Sequence, residues 1–251
     1  MRARRWLDQG GAPKDRCAEL TSSKDSCTIV GTGERSMVVD GTDRHAGREY
    51  FLPNKMGRVF LLSLEGVMGR SALHVTLSHA KLLYLINNYP PANLDLGWRF
   101  EETSAILQAL EAIHGERAAQ AIAVRAGRAS LYHVQEDVGA ILGLAERYFG
   151  ILPLVPRLRA GLKALAELYN KTGDQVVRLE ETAGRFLFHV DRCPACWGRT
   201  AGAPICRTEV GLLQEAMYWV SGGRNIAAEE VQCIAAGSPS CCYAVEKRLL
   251  A

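Results

Sequence analysis

Residues 175–190, QVVRLEETAGRFLFHV, decide the fold class because the period of the sequence changes there from 3.6 towards 2. Apolar and polar residues alternate on both sides of Thr182-Ala183-Gly184, which predicts a β-hairpin. The strand signal returns in residues 224–233 and 241–247, which flank a turn with the sequence GSPS. Between the two pairs, residues 207–220 have the apolar spacing of a helix. The order β-β-α-β-β therefore predicts an antiparallel sheet in the C-terminal half.

The N-terminal half is predicted to be helical. Apolar residues recur at helical spacing in 71–88, 101–114, 129–148 and 156–169, and glycine or proline residues separate these segments. Helices followed by an antiparallel sheet define an α+β fold. We therefore expect a single domain over residues 51–251, with its core motif in 175–248.

Residues 1–50 differ from the rest of the chain. They are poor in apolar residues, and their scattered Gly, Asp, Arg and Ser follow neither a helical nor a strand period. Such a segment buries too little apolar surface to offset the entropy lost on ordering. We expect a disordered leader here, and Met56 is an alternative start of the protein.

The composition excludes several classes of protein. The 251 residues are 48% hydrophobic and 23% charged, as in globular proteins and unlike fibrous ones. The net charge is only +3 and the basic residues are interspersed, which argues against nucleic acid as a partner. No apolar run is long enough to span a membrane, and the basic start lacks the apolar segment of a signal peptide. We therefore expect a cytoplasmic protein in a reducing compartment.

Cysteine is the most informative residue type. Of the eight cysteines, Cys17 and Cys27 lie in the leader, and six lie between Cys193 and Cys242. Disulfides are disfavoured in a reducing compartment, and a core of this size needs no covalent staples. Metal binding or redox chemistry is therefore the leading explanation, against the plainer reading of buried cysteines that pack as small hydrophobic side chains.

A zinc site can be built from three of these cysteines and Glu230. Cys233 and Cys241 flank a turn that brings two strand ends together, Glu230 precedes Cys233 by three residues, and Cys206 begins the intervening helix. Three sulfurs and one oxygen fill a tetrahedral shell, which is typical of structural zinc. Because neighbouring strand residues face opposite ways, Glu229 competes with Glu230, and Cys242 competes with Cys241.

Cys193-Pro-Ala-Cys196 offers a rival arrangement. A C-x-x-C turn binds metal or cycles between dithiol and disulfide. The β-α-β context of thioredoxin-like proteins is missing around it, so redox chemistry is the weaker alternative.

The elements Asp191-Arg-Cys-Pro-Ala-Cys196, Pro204-Ile-Cys206 and Glu230-Val-Gln-Cys233, followed by Cys241, resemble the 4-vinyl reductase, or hydrocarbon-binding, domain family. The resemblance is specific over roughly 70 residues. It implies a fold similar to a TRAPP subunit and self-association as a homodimer. It also implies zinc ligands at Cys206, Glu230, Cys233 and Cys241, and a role in bacteriochlorophyll biosynthesis.

Two functions follow as expectations. The first is a zinc-stabilised domain that binds a small hydrophobic or tetrapyrrole-type ligand, and the second is an enzyme that reduces a tetrapyrrole vinyl group. Binding is favoured because the sequence has no dinucleotide-binding G-x-G-x-x-G motif that would supply a hydride donor. Gly31-Thr-Gly33 lacks the third glycine. The candidate pocket residues are aromatic or polar groups on otherwise apolar segments, and plain core packing is the simpler reading for each: Phe186, Phe188, His189, Trp197, Tyr218 and Trp219.

Overall fold

The C-terminal half contains the antiparallel sheet that the sequence predicts. In the computed structural model, which describes residues 48–134 and 152–250, four strands lie in the order β3-β4-β6-β5. Their bounds are Val177–Glu181 for β3, Arg185–Val190 for β4, Ile226–Gln232 for β5 and Cys241–Leu249 for β6. The α+β class is thereby confirmed.

Alternation in β4 explains how the sheet packs. Phe186, Phe188 and Val190 are at most 1% exposed and form the face of the sheet that contributes to the core. Strand β6 lies between β4 and β5, and all residues from Cys241 to Val245 are buried. A strand covered on both faces reads as a continuous apolar run, as this one does.

Six α-helices lie in the described residues. They are α1 Asn54–Met68, α2 Arg70–His79, α3 Phe100–His114, α4 Glu116–His133, α5 Leu154–Thr172 and α6 Arg207–Val220. Short 3-10 helices occupy Leu83–Leu85 and Ile234–Ala236. The part of the chain that is described has no helix long and apolar enough to cross a membrane.

Several sequence-based boundaries need correction. The helix expected over 71–88 ends at His79, because Lys81 has a left-handed backbone with φ of 61° and a 3-10 turn follows. A helix spans Glu116–His133 and so begins well before the predicted start at Ala129, and the rest of the predicted segment, after residue 134, lies outside the described part of the chain. The predicted leader lies outside it up to residue 47, whereas Tyr50 is buried in the core.

A second, two-stranded sheet was not expected. Strand β1, Phe51–Pro53, pairs antiparallel with β2, Leu96–Arg99. The Phe51 amide donates to the Asp174 carboxylate at 2.8 Å, and the Asp174 amide donates to the Phe51 carbonyl at 2.9 Å. These two bonds fasten the start of the described chain to the segment between α5 and β3.

Helices α4 and α6 pack with their backbones in contact. A Cβ atom added at Gly127 would lie 1.9 Å from the Thr208 carbonyl oxygen, and one added at Gly211 would lie 2.0 Å from the Val124 oxygen. Only glycine permits this approach. The glycine pair therefore fixes the position of the first turns of α6, which carry residues of the site.

Candidate functional site

Five buried cysteines converge at one end of the sheet. Cys193 and Cys196 lie in the loop after β4, Cys206 precedes α6, Cys233 follows β5 and Cys241 begins β6. Each is at most 3% exposed, and none forms a disulfide. Their sulfurs are shielded from solvent, whereas cysteines that exchange disulfides are at least partly accessible. The arrangement therefore favours metal binding over redox cycling.

The distances between the sulfurs match a metal site. Cys206 Sγ lies 3.7 Å from Cys233 Sγ and 3.8 Å from Cys241 Sγ, and the last two are 3.9 Å apart. A tetrahedron with zinc–sulfur bonds of about 2.3 Å has edges of about 3.8 Å. These three cysteines thus already have the spacing of three corners of a zinc tetrahedron.

Glu230 is placed to supply the fourth corner. Its Oε2 accepts a hydrogen bond of 2.7 Å from the Cys206 amide, while its Oε1 is buried and has no hydrogen-bond partner among the described residues. Burial, followed by the charge of Cys233, raises the pKa of the Glu230 carboxyl to about 8. A buried oxygen without a partner costs free energy unless a proton or a cation meets it. A carboxylate oxygen of Glu230 and the three sulfurs lie within 4.8 Å of one another, so a metal ion fits this set.

The structure places the competing residues outside this set. Glu229 is exposed and pairs with Arg185 at 3.5 Å. Cys242 points to the other face of the sheet, where its sulfur lies 3.7 Å from His189 Nε2. Alternation along β5 and β6 therefore puts Glu230 and Cys241, rather than their neighbours, into the cluster.

Cys193 and Cys196 join the cluster from a second side. Cys193 Sγ is 3.6 Å from Cys206 Sγ, and Cys196 Sγ is 3.5 Å from Cys241 Sγ. Together these four sulfurs form another group whose members all lie within 4.8 Å of one another. The sequence suggested two rival arrangements, and the fold brings the residues of both together.

Trp197 holds the loop that carries these two cysteines. Its ring packs edge-on against Tyr50 and Phe100, with centroid distances of 5.1 and 5.6 Å. Its backbone oxygen accepts a 2.7 Å hydrogen bond from Ser104 of α3, and the next arginine, Arg199, pairs with Glu111. The predicted pocket residue Trp197 is thus an anchor between α3 and the cysteine loop.

A cavity of about 90 Å³ adjoins the cluster. It lies between α1, α4 and α6 on one side and the sheet and cysteine loop on the other, and Cys193 forms part of its wall. Most of the exposed lining is apolar, with residues such as Leu52, Val59, Phe60, Val190 and Leu212. An engineered cavity of about 150 Å³ binds benzene. The enclosed part of this space is smaller than that engineered cavity.

Glu209 and Tyr169 form a polar pair in the cavity wall. The Tyr169 hydroxyl donates to the Glu209 carboxyl at 3.2 Å. Burial, and then the charge of Cys193, raises the pKa of Glu209 to about 8, so that the carboxyl is largely protonated near neutral pH. A protonated carboxyl donates a hydrogen bond as well as accepting one. The sequence analysis missed this pair, although Glu209 interrupts the apolar face of α6 and so carried a signal.

The other predicted pocket residues do not line this cavity. Phe186 and Phe188 are fully buried in the core. His189 is buried, its Nδ1 lies 3.1 Å from Ser240 Oγ, and desolvation lowers its pKa. Tyr218 is 38% exposed, and Trp219 donates from its indole to Glu215 at 3.2 Å.

Comparison with known proteins shows no close relative. No family model and no curated protein matches the sequence. An H-NOX protein from S. oneidensis in an Fe(II)NO ligation state is 13% identical, with a TM-score of 0.48, and the match covers 80% of this chain and all of that one. An Fe(II) unliganded H-NOX protein from K. algicida is 12% identical, with a TM-score of 0.45 and coverage of 78% and 97%. The phenol-responsive sensory domain of the transcription activator PoxR, with phenol, is 19% identical, with a TM-score of 0.43 and coverage of 61% and 79%.

These findings overturn the predicted membership of the 4-vinyl reductase family. No family model matches, and the similar structures are H-NOX domains and a phenol-responsive sensory domain. The expected roles in bacteriochlorophyll biosynthesis and vinyl reduction, and the likeness to a TRAPP subunit, depended on that resemblance. The prediction was wrong because a short set of metal ligands indicates only a local site, and similar local sites occur on unrelated folds.

Proposed function

We propose that this chain is a small-molecule-binding domain, and that its cavity takes a compact, largely apolar ligand with one hydrogen-bonding group. The observation that carries the proposal is the cavity between α1, α4, α6 and the sheet, which combines an apolar lining with the Glu209–Tyr169 pair. Ligand sites commonly have this composition, with a mainly apolar wall and few convergent polar groups.

The size of the cavity supports a ligand of no more than one small ring. At about 90 Å³ it is smaller than the cavity of about 150 Å³ that binds benzene, but several times the space that one water needs. Binding of such a ligand is driven by removal of its apolar surface from water. The Glu209–Tyr169 pair orients it, because an unsatisfied polar group inside the cavity costs free energy.

A metal ion at Cys206, Glu230, Cys233 and Cys241 belongs to the same proposal, and zinc suits three thiolates and one carboxylate. Its role is structural, because the four ligands fill its shell. The ion ties the start of α6, which carries Glu209 one turn later, to β5 and β6. It thereby stabilises one wall of the cavity.

Ligand binding is tested by thermal unfolding with benzene, phenol and short aliphatic alcohols. A ligand at one hundred times its Kd stabilises the fold by about 2.7 kcal/mol. For a domain of this size that raises Tm by about 5–10 °C. The proposal is contradicted if no compound in the panel changes Tm or gives heat in a calorimetric titration.

A blocked cavity provides the matched comparison. Val59→Phe places a ring into the cavity, whereas Leu94→Phe enlarges an apolar side chain at a loop site that is 67% exposed and outside the cavity. We expect the first variant to lose binding and the second to keep it. Ala195→Leu, which fills the cavity from the cysteine loop, serves if Val59→Phe does not fold. Equal binding by a folded, filled variant and wild type would place the ligand elsewhere.

We also propose that the chain forms a homodimer. Val75, Leu83 and Tyr84 are each more than half exposed along α2 and the 3-10 turn that follows it, and large exposed apolar side chains are typical of an interface. Light scattering after size exclusion tests this, and a 27.5 kDa species alone contradicts it.

A further inference from the structure

The buried sulfur cluster has more metal ligands than one ion can use. Five cysteines and Glu230 offer six donor atoms, and these divide into two groups of four that share Cys206 and Cys241. Zinc in a structural site takes four ligands. An ion bound by Glu230 and Cys233 together with the shared pair therefore leaves Cys193 and Cys196 unused.

We propose that the cluster is a dinuclear zinc centre in which the thiolates of Cys206 and Cys241 bridge two ions. One ion has Glu230 and Cys233 as its terminal ligands, as in the proposed function. The second ion has Cys193 and Cys196 as its terminal ligands. The second ion goes beyond the proposed function, which needs only the first.

The distances on the second side support this assignment. The spacings from Cys193 to Cys206 and from Cys196 to Cys241 are 3.6 and 3.5 Å, and the shared edge is 3.8 Å. All are close to the tetrahedral edge of about 3.8 Å that zinc–sulfur bonds impose. Two tetrahedra that share an edge are the geometry of two metal ions bridged by two thiolates.

The local chain geometry on the second side is that of a chelating turn. Cys193 and Cys196 are separated by two residues, the spacing at which zinc-binding turns present both sulfurs to one ion. Both are buried at 3% and 2% exposure, and Trp197 fastens the turn to α3. The two sulfurs are therefore held against the shared pair before any metal binds.

Charge favours two ions over one when all six donors are ionised. Five thiolates and one carboxylate carry six negative charges, so one divalent ion leaves four uncompensated and two ions leave two. Uncompensated charge in a buried site is costly. The remaining charge meets backbone donors, such as the Ile234 amide at 3.4 Å from Cys241 Sγ and the Cys206 amide at 2.7 Å from Glu230.

The close sulfur spacing also separates this centre from an iron–sulfur cluster. Such clusters hold inorganic sulfide between their iron ions, with cysteine thiolates at the outside. Here Cys206 and Cys241 lie within 4.8 Å of the ligands on both sides, so cysteine sulfur already occupies the bridging positions that sulfide takes in such a cluster. The shared thiolates of Cys206 and Cys241 take the bridging positions instead.

The test uses full-length protein prepared without chelator under reducing conditions. Metal content by mass spectrometry should give two zinc ions per chain in wild type. Cys193→Ser/Cys196→Ser should retain one, and the control Cys242→Ser, which changes a buried cysteine on the other face of the sheet, should retain two. One zinc in wild type would overturn the dinuclear centre; if Cys193→Ser/Cys196→Ser keeps that zinc, the metal of the proposed function stands, and if it loses it, that metal is overturned too. No zinc in wild type would overturn both.

A second measurement needs no variant. Cobalt(II) is titrated into metal-free wild type, and its electron paramagnetic resonance signal is followed. We expect the signal to grow and then fall as the chain takes up two cobalt ions, because bridging thiolates couple their spins. Saturation at one cobalt, or a signal that grows steadily to two, would refute the shared ligands. Neither result depends on whether the cavity binds a ligand, which calorimetry with phenol measures separately.

Discussion

The contact between α4 and α6 gives a quantitative prediction for Gly127→Ala. The added methyl group would lie 1.9 Å from the Thr208 carbonyl oxygen, whereas ordinary contacts begin near 3.4 Å. The two helices must therefore separate locally by about 1.5 Å. The oxygen belongs to the backbone of α6 and cannot rotate away, unlike the end of a flexible side chain.

The magnitude follows from two opposing effects. Overpacking costs about 1–3 kcal/mol, and a backbone clash belongs at the upper end of that range. Replacement of glycine by alanine within a helix returns about 0.5–1 kcal/mol. We expect a net loss of about 2 kcal/mol in the free energy of unfolding, which lowers Tm by about 4–8 °C for a protein of this size.

Urea denaturation followed by circular dichroism measures this loss. Gly66→Ala in α1 is the control, because a methyl group there meets no atom within 4 Å. We expect the control to be more stable than wild type by about 0.5–1 kcal/mol. Equal stability of Gly127→Ala and Gly66→Ala would refute the backbone contact between α4 and α6.

Three further predictions concern charges and hydrogen bonds. The pKa of the Glu209 carboxyl is about 8 in the folded protein and 4.5 in the unfolded chain. Between these values the unfolded chain releases a proton that the folded protein keeps, so this carboxyl lowers the free energy of unfolding increasingly from about pH 5 to 8. The Tm advantage of Glu209→Gln over wild type should therefore grow across that window and level off above it, and a constant difference would contradict the raised pKa. Asn170→Ala removes two hydrogen bonds of 2.8 Å to the backbone of Val177 and should cost about 1–3 kcal/mol in urea denaturation. Asn170→Asp keeps the accepting oxygen but turns a second oxygen towards the Val177 carbonyl, so it should not recover this loss, and full recovery would contradict the role of the donated bond. Arg159→Ala breaks a two-point pair with Glu181 at the surface, so we expect a small loss of stability that shrinks in high salt; a loss that salt does not change would show that the arginine acts through packing.

The parts of the fold that could be read from the sequence are those with a local signal. Residues 207–220 have helical apolar spacing, and the helix spans Arg207–Val220. The hairpin around Thr182 to Gly184 follows from alternation of period 2. By contrast, β1 and β2 are three and four residues long and pair across more than forty residues of chain, so no local pattern marks them.

The candidate site also has a part that could be predicted from the sequence and a part that could not. Cys233 and Cys241 flank one short turn, so their approach was predictable, and Glu230 lies on β5, which ends one residue before Cys233. The approach of Cys193 and Cys196 to the same cluster could not be predicted, because Trp197 and α3 set the path of their loop. The cavity combines residues from helices and strands that are distant in sequence, and only the packed structure brings Val59 to Glu209.

The order of the strands also limits how the protein meets its neighbours. In the strand order β3-β4-β6-β5, the outer strands β3 and β5 have unpaired backbone groups to which a strand of another chain could bind. Charged side chains occupy both, including the ion pair of Arg178 and Glu180 on β3 and the exposed Glu229 on β5. An added strand would have to bury or displace these charges, so the outer strands of the described sheet are protected against edge-to-edge aggregation.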